Sequence, residues 1–115
     1  MHRITVEIGE HPARVVAAGE LDAFVAPELV AAVDELERSS LVLFDLSRVS
    51  FLDSTALGLV VRAVREIGER GGEARVVLPA SPARRIFEIT TLDRVLPVVE
   101  SSEAGLAQLV AAGRA

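Results

Sequence analysis

Polar and apolar residues alternate with period two from Arg3 to Ile8, which predicts a half-buried strand with Ile4, Val6 and Ile8 facing inward. Gly9-Glu10-His11-Pro12 supplies a turn, and Ala13 to Ala18 reads as a second strand, antiparallel to the first if the connection is a hairpin. Beyond Gly19-Glu20-Leu21-Asp22, Pro27 suits the first position of a helix, where its missing N–H is an orphan donor in any case. Leu29, Val30, Val33 and Leu36 share one face of that helix, which is expected to end near Ser39-Ser40. Leu41 to Phe44 is a continuous apolar run, as in a central strand covered on both sides. Asp45 to Leu52 reads as a connecting segment.

A second helix is expected from Ser54 to about Arg70, with Leu57, Val60, Val61, Val64 and Ile67 as its buried stripe. Arg62/Glu66, Arg65/Glu69 and Glu66/Arg70 are i,i+4 pairs on its outer side. Gly71-Gly72 ends it, and Arg75 to Leu78 forms another buried strand. Ser81-Pro82 opens a short helix carrying Ile86, Phe87 and Ile89. Val95 to Val99 follows as a last strand, at an edge because of Pro97. Ser101 or Ser102 caps a final helix with Leu106, Leu109 and Val110 inward. The order is β-β-α-β-α-β-α-β-α, an α/β arrangement with a mixed, mostly parallel sheet of four to five strands and about four α-helices.

With 115 residues the chain is expected to be one domain, residues 1–115, large enough for a core of its own. It has no cysteine, so disulfides, thiolate metal sites and a cysteine nucleophile are excluded. The net charge is −5 and all twelve basic residues are arginines, scattered apart from Arg84-Arg85. Aromatic residues make up only 3%, so the footprint of nucleic-acid binding is missing. Neither a basic amphipathic helix nor an apolar window of about 18 residues marks a membrane partner. No secretory signal is visible, which makes a cytoplasmic location the default. Without lysine there is no Walker A site. His2 and His11 lack the spacing of a zinc site, and no metal or cofactor is expected. Gly68-Glu69-Arg70-Gly71-Gly72 leads out of a helix, the reverse of a phosphate cradle.

The segment that stands out is Phe51-Leu52-Asp53-Ser54-Thr55-Ala56-Leu57-Gly58. Asp53 is an N-cap candidate, able to accept an N–H from Thr55 or Ala56. Ser54 and Thr55 then lie in the first turn, at the positive end of the helix dipole. Ser54, Gly58, Arg62 and Arg65 fall together on the wheel, away from the apolar stripe, and Gly58 leaves a notch where another backbone could come close. From the residues alone, a plain helix cap and a packing glycine account for the same pattern. Asp22 is either a cap leading into the first helix or part of a partner surface. Leu59 points away from the main stripe, as a lone exposed leucine or an apolar anchor for a partner. A serine hydrolase is disfavoured, since Leu52-Asp53-Ser54-Thr55-Ala56 lacks the Gly-x-Ser-x-Gly elbow, and no convergent acid, base and nucleophile set suggests an enzyme.

The run from Leu43 through Asp45-Leu46-Ser47 to Asp53-Ser54-Thr55-Ala56-Leu57-Gly58 resembles the signature of the STAS domain family of bacterial anti-sigma factor antagonists. Gly19-Glu20-Leu21-Asp22, Gly71-Gly72-Glu73 and Ser81-Pro82 followed by Ile86-Phe87 extend the resemblance over essentially the whole chain. It implies the STAS fold and a non-enzymatic role in partner switching. The unphosphorylated protein binds an anti-sigma factor, usually a serine-protein kinase, which then releases its sigma factor for transcription. The same kinase phosphorylates Ser54 with ATP and magnesium, Thr55 being a second acceptor, and a PP2C-type phosphatase reverses the step. Asp22, Asp53, Ser54, Thr55, Gly58, Leu59 and Arg62 are the partner-binding residues so implied. One departure is Ala56, where the family has glycine: it is strained if the backbone there needs positive φ and stabilising if it is helical. The alternative implied by the same resemblance is a stand-alone STAS accessory subunit of a phospholipid transporter ATPase, whose members usually lack an intact Asp-Ser-Ser/Thr motif.

Overall fold

The computed structural model describes residues 2–8, 12–78, 85 and 96–113. Strands β1 (His2–Glu7), β2 (Ala13–Leu21), β3 (Leu41–Leu52), β4 (Glu73–Val77) and β5 (Val98–Val99) form one sheet in that order. β1 runs antiparallel to β2, and the other neighbours are parallel. Three helices lie among the described residues: α1 (Ala26–Asp34), α2 (Ser54–Glu69) and α3 (Ser102–Gly113). Of the short helix expected to open at Ser81-Pro82 only Arg85 is among the described residues, so the full expected order is not traced.

α1 and α2 each follow a strand of the parallel pair β2–β3, so their N-termini meet at one end of the sheet. Their inner faces close the main core. Val15, Ala17, Val42, Phe44, Leu46 and Leu52 from the sheet pack with Leu29, Leu36, Leu57, Val60 and Ile67. On the opposite face a smaller cluster of Leu41, Leu43, Val77, Val99 and Leu109 seats α3. The alternation of Leu41 and Leu43 against Val42 and Phe44 is why this run had to be apolar throughout: β3 is buried on both sides. Gly105 lets α3 sit close, because a Cβ there would lie 2.6 Å from Leu43.

Asp45–Leu52 is not a connection but the second half of β3. Two irregularities in the β2–β3 register each place one extra residue on β3, between Asp45 and Arg48 and between Val49 and Phe51. Leu46, Val49 and Leu52 are therefore three apart and still face the same core. That spacing hides the strand from a period-two reading. β2 likewise runs on to Leu21, with Gly19 at φ 83° beside the second irregularity.

Other boundaries also move. Ile8 lies beyond β1 and is exposed, while Ile4 and Val6 pack on the core as expected. α1 starts one residue before Pro27 and stops at Asp34. Val30 is exposed rather than inward, since Leu29, Ala32 and Leu36 already hold the sheet side. Val61 and Val64 are half-buried at the margins of the α2 stripe, and Val110 of α3 faces solvent. β5 keeps only Val98–Val99, at the sheet edge directly after Pro97.

α2 ends in a Schellman motif. Gly72 N–H donates to Ile67 O at 2.8 Å and Gly71 N–H to Gly68 O at 3.1 Å, with Gly71 at φ 82°. Of the three i,i+4 pairs expected on α2, only Arg62–Glu66 closes among the described residues, at 3.3 Å. Arg70 instead donates to the carbonyls of Leu36 and Ser39, at 2.7 and 2.6 Å, and so closes the turn after α1.

Candidate functional site

The site is built where β2 and β3 end side by side. Leu21 pairs with Leu52 in the sheet, and the next residue of each strand is an aspartate. Asp53 N–H donates to Leu21 O at 3.0 Å, which fixes the distance between the two chain exits. The Asp53 carboxylate then serves both. Oδ1 accepts the Ala56 N–H at 2.9 Å as the N-cap of α2, and Oδ2 accepts the Ala23 N–H at 2.8 Å from the turn before α1. Of the two donors expected for the cap, Ala56 is the one used.

Asp22 works within its own turn. Its Oδ1 accepts the N–H groups of Phe24 at 2.9 Å and Val25 at 3.3 Å, and its carbonyl accepts Val25 N–H at 3.1 Å. The residue is half-buried and organises the approach to α1, whose own N-cap, Val25, has no side-chain bond. Its role in the fold is thus the brace of the 22–25 turn.

Ser54 and Thr55 are the first two residues of α2, and both are exposed. The Ser54 hydroxyl has no hydrogen-bond partner among the described residues, and neither do the N–H groups of Ser54 and Thr55. An oxygen at the helix start, two unused amide donors and the helix dipole favour negative charge there. Ala56 turns its methyl into the core at 1% exposure in helical backbone, so the alanine is unstrained.

One turn further along α2, Gly58 is exposed, and a Cβ built there meets nothing within 4 Å. That removes the packing-glycine explanation. Ser54, Gly58, Arg62 and Arg65 are all exposed, as the wheel predicts. Leu59 departs from expectation: it is half-buried against the main core and, with Val30, Val33, Asp34, Arg62 and Glu66, lines a shallow groove between α1 and α2. The fold therefore brings Asp22, Asp53, Ser54 and Thr55 together at one end, sets Gly58 on the same outer face, and turns Leu59 toward α1.

Two exposed aromatics flank this end, neither of which the sequence assigned a role. Phe24 stands in the 22–25 turn at 92% exposure, and Phe51, next to Glu20 in the sheet, is half exposed. Both lie off the spacing of buried neighbours. Val25, Leu29 and Leu36 share the core side of α1 and leave Phe24 out, and Leu52 holds the core place beside Phe51.

The family model for the STAS domain matches residues 3–105. The chain belongs to the STAS domain family. It is 31% identical over 100 residues to the anti-sigma-B factor antagonist of Listeria monocytogenes, covering 83% of this chain and 88% of that one. With the anti-sigma-B factor antagonist of Bacillus subtilis it shares 30% identity over 104 residues, 90% of this chain and 95% of the relative. Among solved structures, an anti-sigma factor antagonist from Mycobacterium paratuberculosis superposes with a TM-score of 0.85 at 26% identity, covering 95% and 94% of the two chains. The fold is also that of SpoIIAA in its unphosphorylated form, with a TM-score of 0.68 at 21% identity over 94% and 97% of the chains. In this STAS chain, then, Asp53-Ser54-Thr55 is the capped start of α2.

Proposed function

We propose that this STAS protein is an anti-sigma factor antagonist, and that phosphorylation of Ser54 switches its binding off. The observation that carries the reading is the exposed Ser54 hydroxyl, without a partner among the described residues, directly after the doubly bonded Asp53 cap. The relatives named as antagonists over most of both chains support the same class. The unphosphorylated face binds an anti-sigma factor, which thereby releases its sigma factor. That partner is also the kinase: it transfers the γ-phosphoryl group of MgATP to Ser54 Oγ, and the hydroxyl proton leaves to a base of the kinase. A PP2C-type phosphatase hydrolyses the phosphoester and restores the binding form.

The physical basis of the switch is local. Phosphoserine adds about −1.5 to −2 charges and three acceptor oxygens. The unused amides at the start of α2 can take that anion without unfolding the helix. The fold stays while the surface beside Asp53 becomes strongly acidic and difficult to desolvate. A few kcal/mol of lost affinity, enough to move a partner from mostly bound to mostly free, is within reach of one such group.

Intact mass after incubation with the cognate anti-sigma kinase and MgATP tests this. Wild type gains one phosphate and Ser54→Ala gains none. Labelling of both moves the site to Thr55. Binding without labelling leaves a constitutive antagonist, and the absence of both binding and labelling overturns the reading.

A further inference from the structure

The most exposed large apolar side chain among the described residues is Phe24, at 92%. An aromatic ring carries roughly 150–250 Å² that water would otherwise give up on burial, so a ring left in solvent is notable when its backbone is held. Here it is held on both sides. Ala23 N–H is bonded to Asp53 Oδ2 at 2.8 Å, Phe24 N–H to Asp22 Oδ1 at 2.9 Å, and the Val25 side chain is anchored in the core at 4% exposure. With its neighbours fixed, the Phe24 ring is presented outward. The Ala23–Asp53 bond also sets this turn directly against the residue that precedes Ser54.

Along the chain to either side of Phe24 the formal charges have one sign, with Glu28 already meeting His2 Nε2 at 2.9 Å and Asp34, Glu35 and Glu37 at the other end of α1. Between Arg14 and Arg38 the chain contains no basic residue and six acidic ones: Glu20, Asp22, Glu28, Asp34, Glu35 and Glu37. A cation on a partner would meet the carboxylates of Glu20 and Asp22.

We infer that Phe24 is the principal anchor by which this protein binds its partner, inserted into an apolar socket with arginine or lysine on the rim facing Glu20 and Asp22. The inference rests on the proposed function, which makes that partner the anti-sigma factor. Asp22 and Asp53 then contribute by holding the ring in place. Seating the ring also carries Ser54 against the socket wall. A hydroxyl is desolvated there at modest cost, a phosphate dianion at a large one, so affinity and switching use the same contact.

Calorimetric titration of the cognate anti-sigma factor with the full chain tests this. Phe24→Ala is expected to weaken binding at least 30-fold, the usual threshold of about 2 kcal/mol for an interface hot spot. Its urea midpoint should match wild type, because the side chain is exposed. Phe24→Leu restores most of the affinity, and Val110→Ala, exposed on α3 across the sheet, changes nothing. The Ser54→Glu variant loses less additional affinity in a Phe24→Ala background than in wild type. Unchanged binding by Phe24→Ala, with wild type still bound and phosphorylated on Ser54, sinks the anchor and leaves the proposed function intact. A change only in self-association assigns the ring to a second copy and equally overturns it. Failure of wild type to bind the anti-sigma factor removes both.

Discussion

α2 and α3 begin alike. In each, the residue before the helix accepts the N–H three positions on, Asp53 Oδ1 from Ala56 at 2.9 Å and Ser101 Oγ from Ala104 at 3.1 Å, and a serine takes the first helical position. The two serines then diverge. Ser102 is half-buried and its hydroxyl donates to Asp45 Oδ2 at 2.7 Å, tying α3 to β3, whereas Ser54 is exposed and bonded to nothing described. A phosphoryl group on Ser102 would cost that bond and set a dianion against a carboxylate. The same local motif is thus a structural clasp in one place and an available acceptor in the other. Position at a helix start alone does not decide which serine can take a modification: among the described residues, only Ser54 of the two keeps an exposed hydroxyl without a partner.

The largest effect is expected from removing the cap on the α2 side. Asp53→Ala deletes two bonds to backbone N–H groups, one in α2 and one in the turn before α1. A single cap is worth about 1 kcal/mol and a second bond a similar amount, so a loss of about 2 kcal/mol is expected in urea unfolding. Asp53→Asn, which keeps an acceptor oxygen for one of the two, should recover about half. Equal stability of Asp53→Ala and wild type would contradict the bridge.

On the α3 side, Ser102→Ala is expected to cost about 1 kcal/mol through the lost bond to a partly exposed carboxylate, whereas Ser54→Ala stays within about 0.5 kcal/mol of wild type. The contrast should also depend on pH. Burial pushes the Asp45 carboxyl up, but the Ser47 and Ser102 hydroxyls, the Ser47 N–H and the Arg48 charge together outweigh it and hold the group below its ordinary value of 3.8. A carboxyl lowered in the folded state contributes stability that is fully present above its unfolded value and is lost as pH falls through the lowered one. The stability gap between wild type and Asp45→Asn should therefore narrow as pH drops from about 5 to about 2. A constant gap across that range would show that the Asp45 charge is not what holds α3.

Much of this contrast could be read from residues alone. The Asp53 cap, the Gly71-Gly72 stop and the exposed row of Ser54, Gly58, Arg62 and Arg65 follow from short-range rules and appear as expected. What stayed hidden depends on neighbours in space. Leu46, Val49 and Leu52 make a strand only because two extra residues are absorbed in the register with β2. Asp45 was visible as part of Asp-Leu-Ser, but its Ser102 partner comes from the far end of the chain. Leu59 looked exposed on a single helix and is half-covered because α1 lies alongside. Phe24 carried no periodic signal, since the turn that bears it is set by hydrogen bonds from Ala23 N–H to Asp53 and from Phe24 N–H to Asp22, the residues that follow two different strands.

The smallest change expected bears on why α2 tolerates a glycine in its second turn. Alanine is favoured over glycine inside a helix by roughly 0.5–1 kcal/mol, and a Cβ at position 58 meets nothing within 4 Å. Gly58→Ala should therefore raise stability by that amount in urea unfolding. No contact among the described residues accounts for keeping the less stable residue on the face that carries Ser54. If the partner's backbone comes close at this notch, the same variant binds the anti-sigma factor more weakly while folding more firmly. A serine at position 58 should fall between glycine and alanine in stability and show the same loss of binding. If both variants bind as well as wild type, the notch is not a contact, and the interface lies nearer the turn that bears Asp22.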